Sequence, residues 1–209
     1  MTVDREYCMS SFLTYRIIAD MERCFAPGVE PRRFPFPEKR LPVRDSQTLL
    51  AELERATREA CKDGKAALAL SGGIDSAALA RFMPKGSTAY TFRCVVPGMQ
   101  VTDESPAAAR FAAECGLKHE IIDIYWEDFE ALTPKLMKHK GMPVHSIEVQ
   151  ICKAAMRARA DGFERLIFGE TADVVYGGFD GLLSKDWLVG DFIDRFTFVP
   201  PWKALRHPQ

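Results

Sequence analysis

The sequence has no run of about 20 apolar residues, the length that a helix needs to cross a bilayer. Its first residues, Met-Thr-Val-Asp-Arg-Glu, lack the basic and then apolar layout of a secretory signal peptide. We therefore expect neither membrane insertion nor export, and a cytoplasmic location.

Metal-binding and disulfide signatures are also missing. The six cysteines are scattered without a Cys-x-x-Cys pair, and the four histidines show no ligand spacing. We expect reduced thiols and no zinc site. The formal net charge is only −1, so no global field favours a nucleic acid or an anionic membrane as a partner.

Tandem repeats and low-complexity tracts are absent too, but prolines recur every few residues between positions 27 and 42. Such spacing denies a helix its donors and favours extended chain. We predict an N-terminal arm over 1–45, containing a helix over 7–21 and this proline-rich segment. The remainder, 46–209, is long enough for one α/β domain.

The rest of the chain alternates strand-like and helix-like patterns. Strands are predicted over 66–70, 87–96, 119–124 and 165–168. Helices are predicted over 46–62, 75–82, 105–116, 126–138 and 146–160, the first capped by Asp45 or Ser46. This alternation predicts an α/β fold, a doubly wound parallel sheet with helices on both faces. Ligands of such sheets bind beyond the carboxyl ends of the strands.

The first predicted strand leads directly into Ser-Gly-Gly-Ile-Asp-Ser, residues 71–76. Two glycines allow close approach of a ligand to the backbone, and the following helix points its free N–H groups at the loop. With hydroxyls from Ser71 and Ser76, the pattern predicts a phosphate-binding loop. Asp75 would repel phosphate unless a divalent cation lies between them, which predicts Mg²⁺. The alternative is a plain strand-turn-helix, in which Asp75 is an ordinary first-turn acid.

A second acidic pattern follows the last predicted strand. Gly169 permits close backbone approach, and Glu170 and Asp173 are three residues apart, so a helical turn would place them on one face. Two acids beside a phosphate loop need a cation or a basic substrate group between them. The alternative is a capped helix with Asp173 in solvent.

The loop is not a Walker A motif, because the G-x-x-x-x-G-K-[ST] spacing is absent. SGGIDS instead resembles the pyrophosphate loop of the N-type ATP pyrophosphatases. GETADVVYGG resembles the Gly-Glu-Gly-Ser-Asp-Glu…Gly-Gly motif of the asparagine synthetase C-terminal domain. FRCVVPG, AAARFAAECGLKHEII and FLTYR resemble further segments of that family, and the likeness covers most of the chain.

This resemblance implies an adenine nucleotide alpha hydrolase-like fold and an AMP- and pyrophosphate-forming ligase that uses ATP and Mg²⁺. Such an enzyme adenylates a carboxylate or amide, which ammonia or another amine then attacks. It implies that Asp75 and Asp173 bind the metal and that Glu170 faces the acceptor substrate. The implied ATP-binding residues are Leu70, Ser71, Gly72, Gly73, Asp75, Ser76, Cys94 and Gly169. Leu70 and Cys94 would border adenine through their backbones, and Gly169 the ribose.

The chain also departs from the family pattern. No glutaminase domain is expected, so ammonia would come from solvent, a separate glutaminase or a complementing subunit. Val174 stands where the family has an acid. The family also has a catalytic lysine late in its sequence. The candidates for that role in this chain are Lys185 and Lys203, and both suit an ordinary surface role better. His145, in a loop without the family's acidic substrate segment, suits an incidental role better than a substrate contact.

Two alternatives to the ligase stay open. One is a sulfur-transferring or tRNA-modifying relative, which would need a reactive cysteine, with Cys94 as the candidate, and a basic face. The other is a nucleotide-binding remnant or subunit without catalysis of its own. The oligomeric state stays open as well, a homo-oligomer included.

Overall fold

The computed structural model describes residues 1–30, 43–170, 172, 186–197 and 199–209. Their strands are β1 (Thr2–Val3), β2 (Arg23–Cys24), β3 (Ala66–Ala69), β4 (Thr88–Cys94), β5 (Lys118–Ile124) and β6 (Arg165–Ile167). Their helices are α1 (Arg5–Tyr15), α2 (Ser46–Cys61), α3 (Ile74–Ala80), α4 (Ser105–Cys115), α5 (Trp126–Lys140), α6 (Ser146–Ala160), α7 (Val189–Phe196) and α8 (Pro201–Ala204).

The chain divides into two compact units. The first takes its described residues from Met1–Phe36, Glu130–Val149 and Asp180–Gln209, and the second from Pro37–Phe129 and Gln150–Phe179. The proline-rich segment over 31–42 lies outside the described residues. The predicted domain boundary at residue 45 stays a prediction.

The second unit contains a four-stranded sheet in the order β5-β4-β3-β6, with every pair parallel. Helices α2, α3 and α4 supply apolar side chains to one face, and α6 supplies them to the other. The predicted α/β fold, a parallel sheet with helices on both faces, is therefore confirmed. The connection through α3 leads from β3 to β4, whereas β6 pairs with the opposite edge of β3. The carboxyl ends of β3 and β6 thus flank a topological switch point, where ligands of such sheets bind.

Two apolar clusters hold this sheet because its strands alternate side chains between the faces. On the α3 and α4 side, Leu68 and Leu70 pack with alanines of both helices. On the α6 side, Tyr90 and Ile124 pack with two alanines of that helix. The alanines in both clusters let helix and strand backbones lie close together.

Local signals explain the helix limits in this unit. Asp45 caps α2 as predicted, because its carboxylate accepts a 2.7 Å hydrogen bond from the Thr48 N–H. Helix α4 ends at Gly116, whose φ of 70° lies in the left-handed region that favours glycine.

The first unit contains a parallel pair, β1 and β2, beside α1. The predicted helix over 7–21 was wrong at both limits: α1 runs from Arg5 to Tyr15. It ends there because Arg16 takes a left-handed conformation and donates its N–H to the carbonyl of Phe12. Within the described ranges, no helix combines the length and the apolar character that a membrane span requires.

Candidate functional site

The loop between β3 and α3 is closed by its two serines. The Ser71 N–H donates to Ser76 Oγ at 3.0 Å, and the Gly73 N–H donates to Ser71 Oγ at 3.1 Å. The two hydroxyl oxygens lie 2.9 Å apart, and the Ser76 side chain is buried. The serines predicted as phosphate ligands therefore shape the turn through hydrogen bonds within the loop.

At both glycines of this loop, neighbouring atoms leave little room for a Cβ, whereas the backbone angles would suit other residues. Neither has a positive φ. A Cβ added to Gly72 would lie 3.1 Å from Ala107 Cβ and 3.3 Å from Glu104 Cβ, and one added to Gly73 would lie 3.3 Å from Ser71 Oγ. The loop thus packs against the start of α4 at Gly72, where a side chain would force it away, whereas a side chain at Gly73 would press on Ser71 within the loop.

The strand end at β6 brings the second sequence motif to this loop. Strand β6 pairs with β3 in register, with Ala66 opposite Arg165 and Leu68 opposite Ile167. Two residues further along, a Cβ added to Gly169 would lie 2.7 Å from the Ser76 N and 2.8 Å from the Asp75 carbonyl carbon. These are backbone atoms of the first turn of α3, so the two motifs are in contact there.

The acidic side chains predicted for the metal and substrate are described in part. Asp75 lies in the first turn of α3, half-buried, with its Cβ 3.1 Å from the position of a Cβ on Gly169. Glu170 is exposed immediately beyond that glycine. Asp173 lies outside the described residues. The structure thus brings Asp75 and Gly169 together, and the predicted pairing of Asp75 with Asp173 stays a prediction.

The residues predicted to border adenine lie at neighbouring strand ends. Leu70 is buried, its N–H donates to the Tyr90 carbonyl at 2.8 Å, and its carbonyl accepts from Thr91 Oγ1 at 2.6 Å. Cys94 ends β4 half-buried against the apolar cluster on the α6 side. Burial raises the pKa of its thiol, which disfavours the reactive thiolate that the sulfur-transfer alternative needs.

Glu104 is the loop contact that sequence reasoning missed. The Gly72 N–H donates to Glu104 Oε2 at 3.0 Å, so a carboxylate from the start of α4 contacts the loop 71–76. The available signal was the pair of acids before Ser105. Asp103 lies one residue before the N-cap and accepts hydrogen bonds from the N–H and the hydroxyl of Ser105, which lower the pKa of its carboxyl group. Glu104 makes no capping bond and reaches the loop instead.

A polar chain behind the loop was also missed. The Thr91 hydroxyl gives its only proton to the Leu70 carbonyl, so the 2.8 Å contact between Thr91 Oγ1 and His119 Nε2 requires the histidine to donate. Burial lowers the pKa of His119, which favours the neutral ring. These two hydrogen bonds, from His119 on β5 to Thr91 on β4 and from Thr91 to Leu70, fix the backbone at the carboxyl end of β3.

Two further candidates belong to the first unit. His145 donates its N–H to Glu148 within the turn before α6, and Lys203 lies in α8. Lys185 lies outside the described residues.

A magnesium site would need donors from the ligand as well as the protein. Across the part of the chain that the structure describes, no group of three or more His, Cys, Asp or Glu side chains is placed to hold a metal by itself. Mg²⁺ usually binds through one or two carboxylates together with phosphate oxygens. Asp75, at the mouth of the loop, fits that donor set.

Comparison with known proteins gives one family. The family model described as asparagine synthase matches residues 48–207, which includes the loop, the strand ends and the segment after β6. No curated protein matches the chain.

Proposed function

Because the chain belongs to the asparagine synthase family, whose members are ATP-dependent ligases, we propose that it adenylates a small-molecule carboxylate or amide. A substrate oxygen would attack the ATP α-phosphate, AMP would stay on the substrate and pyrophosphate would leave. Ammonia or another amine would then attack the activated carbon and release AMP. The amine would come from solvent or from a separate glutaminase or complementing subunit.

The observation that carries this proposal is the contact between Gly169 and the first turn of α3. It joins the loop 71–76 to the second motif at the carboxyl edge of the sheet. A reaction that holds a triphosphate on one motif and an acceptor on the other needs both at one place. Proximity of the two bound substrates is itself a large part of such catalysis.

Within this site, the first-turn amides of α3 would bind the departing phosphates, together with the Gly72 N–H once Glu104 gives it up. Asp75 and Asp173 would hold Mg²⁺, which supplies positive charge to the pyrophosphate as it leaves. Glu170 would face the acceptor substrate or its adenylate. The backbones beside Leu70 and Cys94 would border adenine, and the backbone of Gly169 would lie near the ribose.

Asp75→Asn tests this proposal because it removes the charge and keeps the shape. With ATP, Mg²⁺ and a panel of carboxylic acids and amides, we expect wild-type protein to release pyrophosphate. We expect Asp75→Asn to lower that release by at least about a hundredfold, the cost of losing a charge-stabilising group. Direct titration with ATP and Mg²⁺ would measure binding separately, and turnover that appears only with an added partner would favour the subunit alternative.

The matched control is Asp191→Asn, in the first turn of α7. Like Asp75, Asp191 is an acid in the first turn of its helix, but it lies in the first unit. If Asp75 merely complements a helix dipole, both variants would keep full pyrophosphate release, and that result would count against the proposal.

A further inference from the structure

The hydrogen bond from the Gly72 N–H to Glu104 places a negative charge beside the loop that the proposed function assigns to pyrophosphate. The bond is 3.0 Å long, and it takes a backbone donor of the Ser-Gly-Gly turn. Among the described residues, no lysine or arginine forms an ion pair with Glu104. Its charge therefore has no cationic partner there, although its side chain is exposed to solvent.

Packing and a second set of bonds hold Glu104 beside the loop. Gly72 lies against the β-carbons of Glu104 and Ala107, so the start of α4 and the loop are in direct contact. Asp103, the preceding residue, is fixed by Ser105 and lies 3.4 Å from Arg93 Nη1. The same guanidinium binds Asp123 of β5 at 2.9 Å through Nε.

We infer that Glu104 makes pyrophosphate binding by this loop depend on a divalent cation. A phosphate oxygen can accept the Gly72 N–H only if the carboxylate gives it up, and the two anions then lie close together. Like charges at that distance repel strongly unless a cation lies between them. The loop therefore admits the magnesium complex of pyrophosphate or ATP and rejects the uncomplexed anion. This inference rests on the proposed function of the loop.

The test is Glu104→Gln, which keeps an oxygen acceptor for the Gly72 N–H and removes the charge. Binding of inorganic pyrophosphate to the whole chain would be measured by calorimetry, once with Mg²⁺ and once with EDTA. We expect wild-type protein to bind strongly only with Mg²⁺. Glu104→Gln should bind the metal-free anion about tenfold more tightly, with a much smaller change in the presence of Mg²⁺.

The matched control is Glu114→Gln, which removes the same charge from the last turn of the same helix. It should keep the wild-type ratio of the two affinities. A ratio unchanged in Glu104→Gln would overturn the inference, and so would weaker binding under both conditions, which would mean that the carboxylate supports the loop. Failure of wild type and Glu104→Gln alike to bind pyrophosphate with Mg²⁺ would contradict the proposed function and this inference with it. Thermal unfolding of each variant would confirm that the fold is kept.

Discussion

The exits of β3 and β6 lie side by side, yet different forces hold them. The exit of β3 is held by hydrogen bonds, from Ser71 to Ser76 within the loop and from Thr91 to the Leu70 carbonyl behind it. The exit of β6 is held by steric fit, since Gly169 lies against the backbone of the first turn of α3.

The two arrangements should fail in different ways. A hydrogen-bonded turn loses about 1 kcal/mol for a typical bond and can recruit water in its place. A close backbone contact has no such substitute, because a Cβ needs space that only movement of a helix or a strand can provide. We therefore expect the β6 side to be the more sensitive of the two exits.

Gly169→Ala should have the largest effect. Its Cβ would meet backbone atoms at 2.7 and 2.8 Å, far inside normal contact. We expect a loss of about 2–3 kcal/mol in the free energy of unfolding, the usual cost of overpacking. We also expect loss of ATP binding, because β6 or α3 must shift. Chemical denaturation and nucleotide titration would measure these effects, and a fully stable variant that binds ATP normally would refute the close contact.

Gly72→Ala should have a smaller effect. Its Cβ would lie 3.1 Å from a side-chain carbon of Ala107, so a shift of a few tenths of an ångström relieves the contact. We expect a loss of about 1 kcal/mol in the free energy of unfolding. Expressed as free energies, the loss in pyrophosphate binding should exceed the loss in stability, because the substitution moves the loop itself away from α4.

Gly190→Ala is the control for both glycine substitutions. Gly190 lies in α7, and no heavy atom lies within 4 Å of its added Cβ. Alanine favours helix over glycine, so this variant should be about 0.5 kcal/mol more stable than wild type. If all three substitutions destabilised the protein equally, the costs would not come from local space, and the contrast between the two strand exits would be lost.

Sequence patterns predicted the second unit well. Its strands and helices appear near their predicted positions because apolar runs, an Asp45 cap and glycine stops act locally. The first unit was harder. Helix α1 ends early at the left-handed Arg16, and beyond it Ser11 Oγ donates to the Ile17 carbonyl and accepts from the Ala19 N–H, which favours a turn over helix. The two short strands and the final helices depend on distant partners that no local pattern reveals.

In the candidate site too, local patterns were predictable from sequence and long-range contacts were not. The turn at residues 71–76 was predictable because glycines and serines between a strand and a helix are typical of a phosphate-binding loop. The role of Gly169 was predicted as close approach to a ligand, whereas the structure places it against protein backbone at Asp75 and Ser76. Glu104 and His119 were not predicted, because their contacts depend on sheet order and on the packing of α4.

The smallest expected effect concerns the hydrogen-bonded exit and its dependence on pH. Burial lowers the pKa of His119, so the folded protein holds this proton less tightly than the unfolded chain, where the pKa is about 6.5. Stability should therefore fall as the pH drops below that value and protonation increasingly favours unfolding.

His119→Gln should remove this part of the pH dependence, because an amide N–H can still donate to Thr91 but does not titrate. The difference between the two proteins should stay below about 1 kcal/mol, because the ring is partly exposed. Denaturant unfolding at pH 7.5 and at about pH 5 would measure it. Equal slopes with pH in both proteins would contradict this prediction, because they would mean that the fold does not hold the His119 ring in its neutral form.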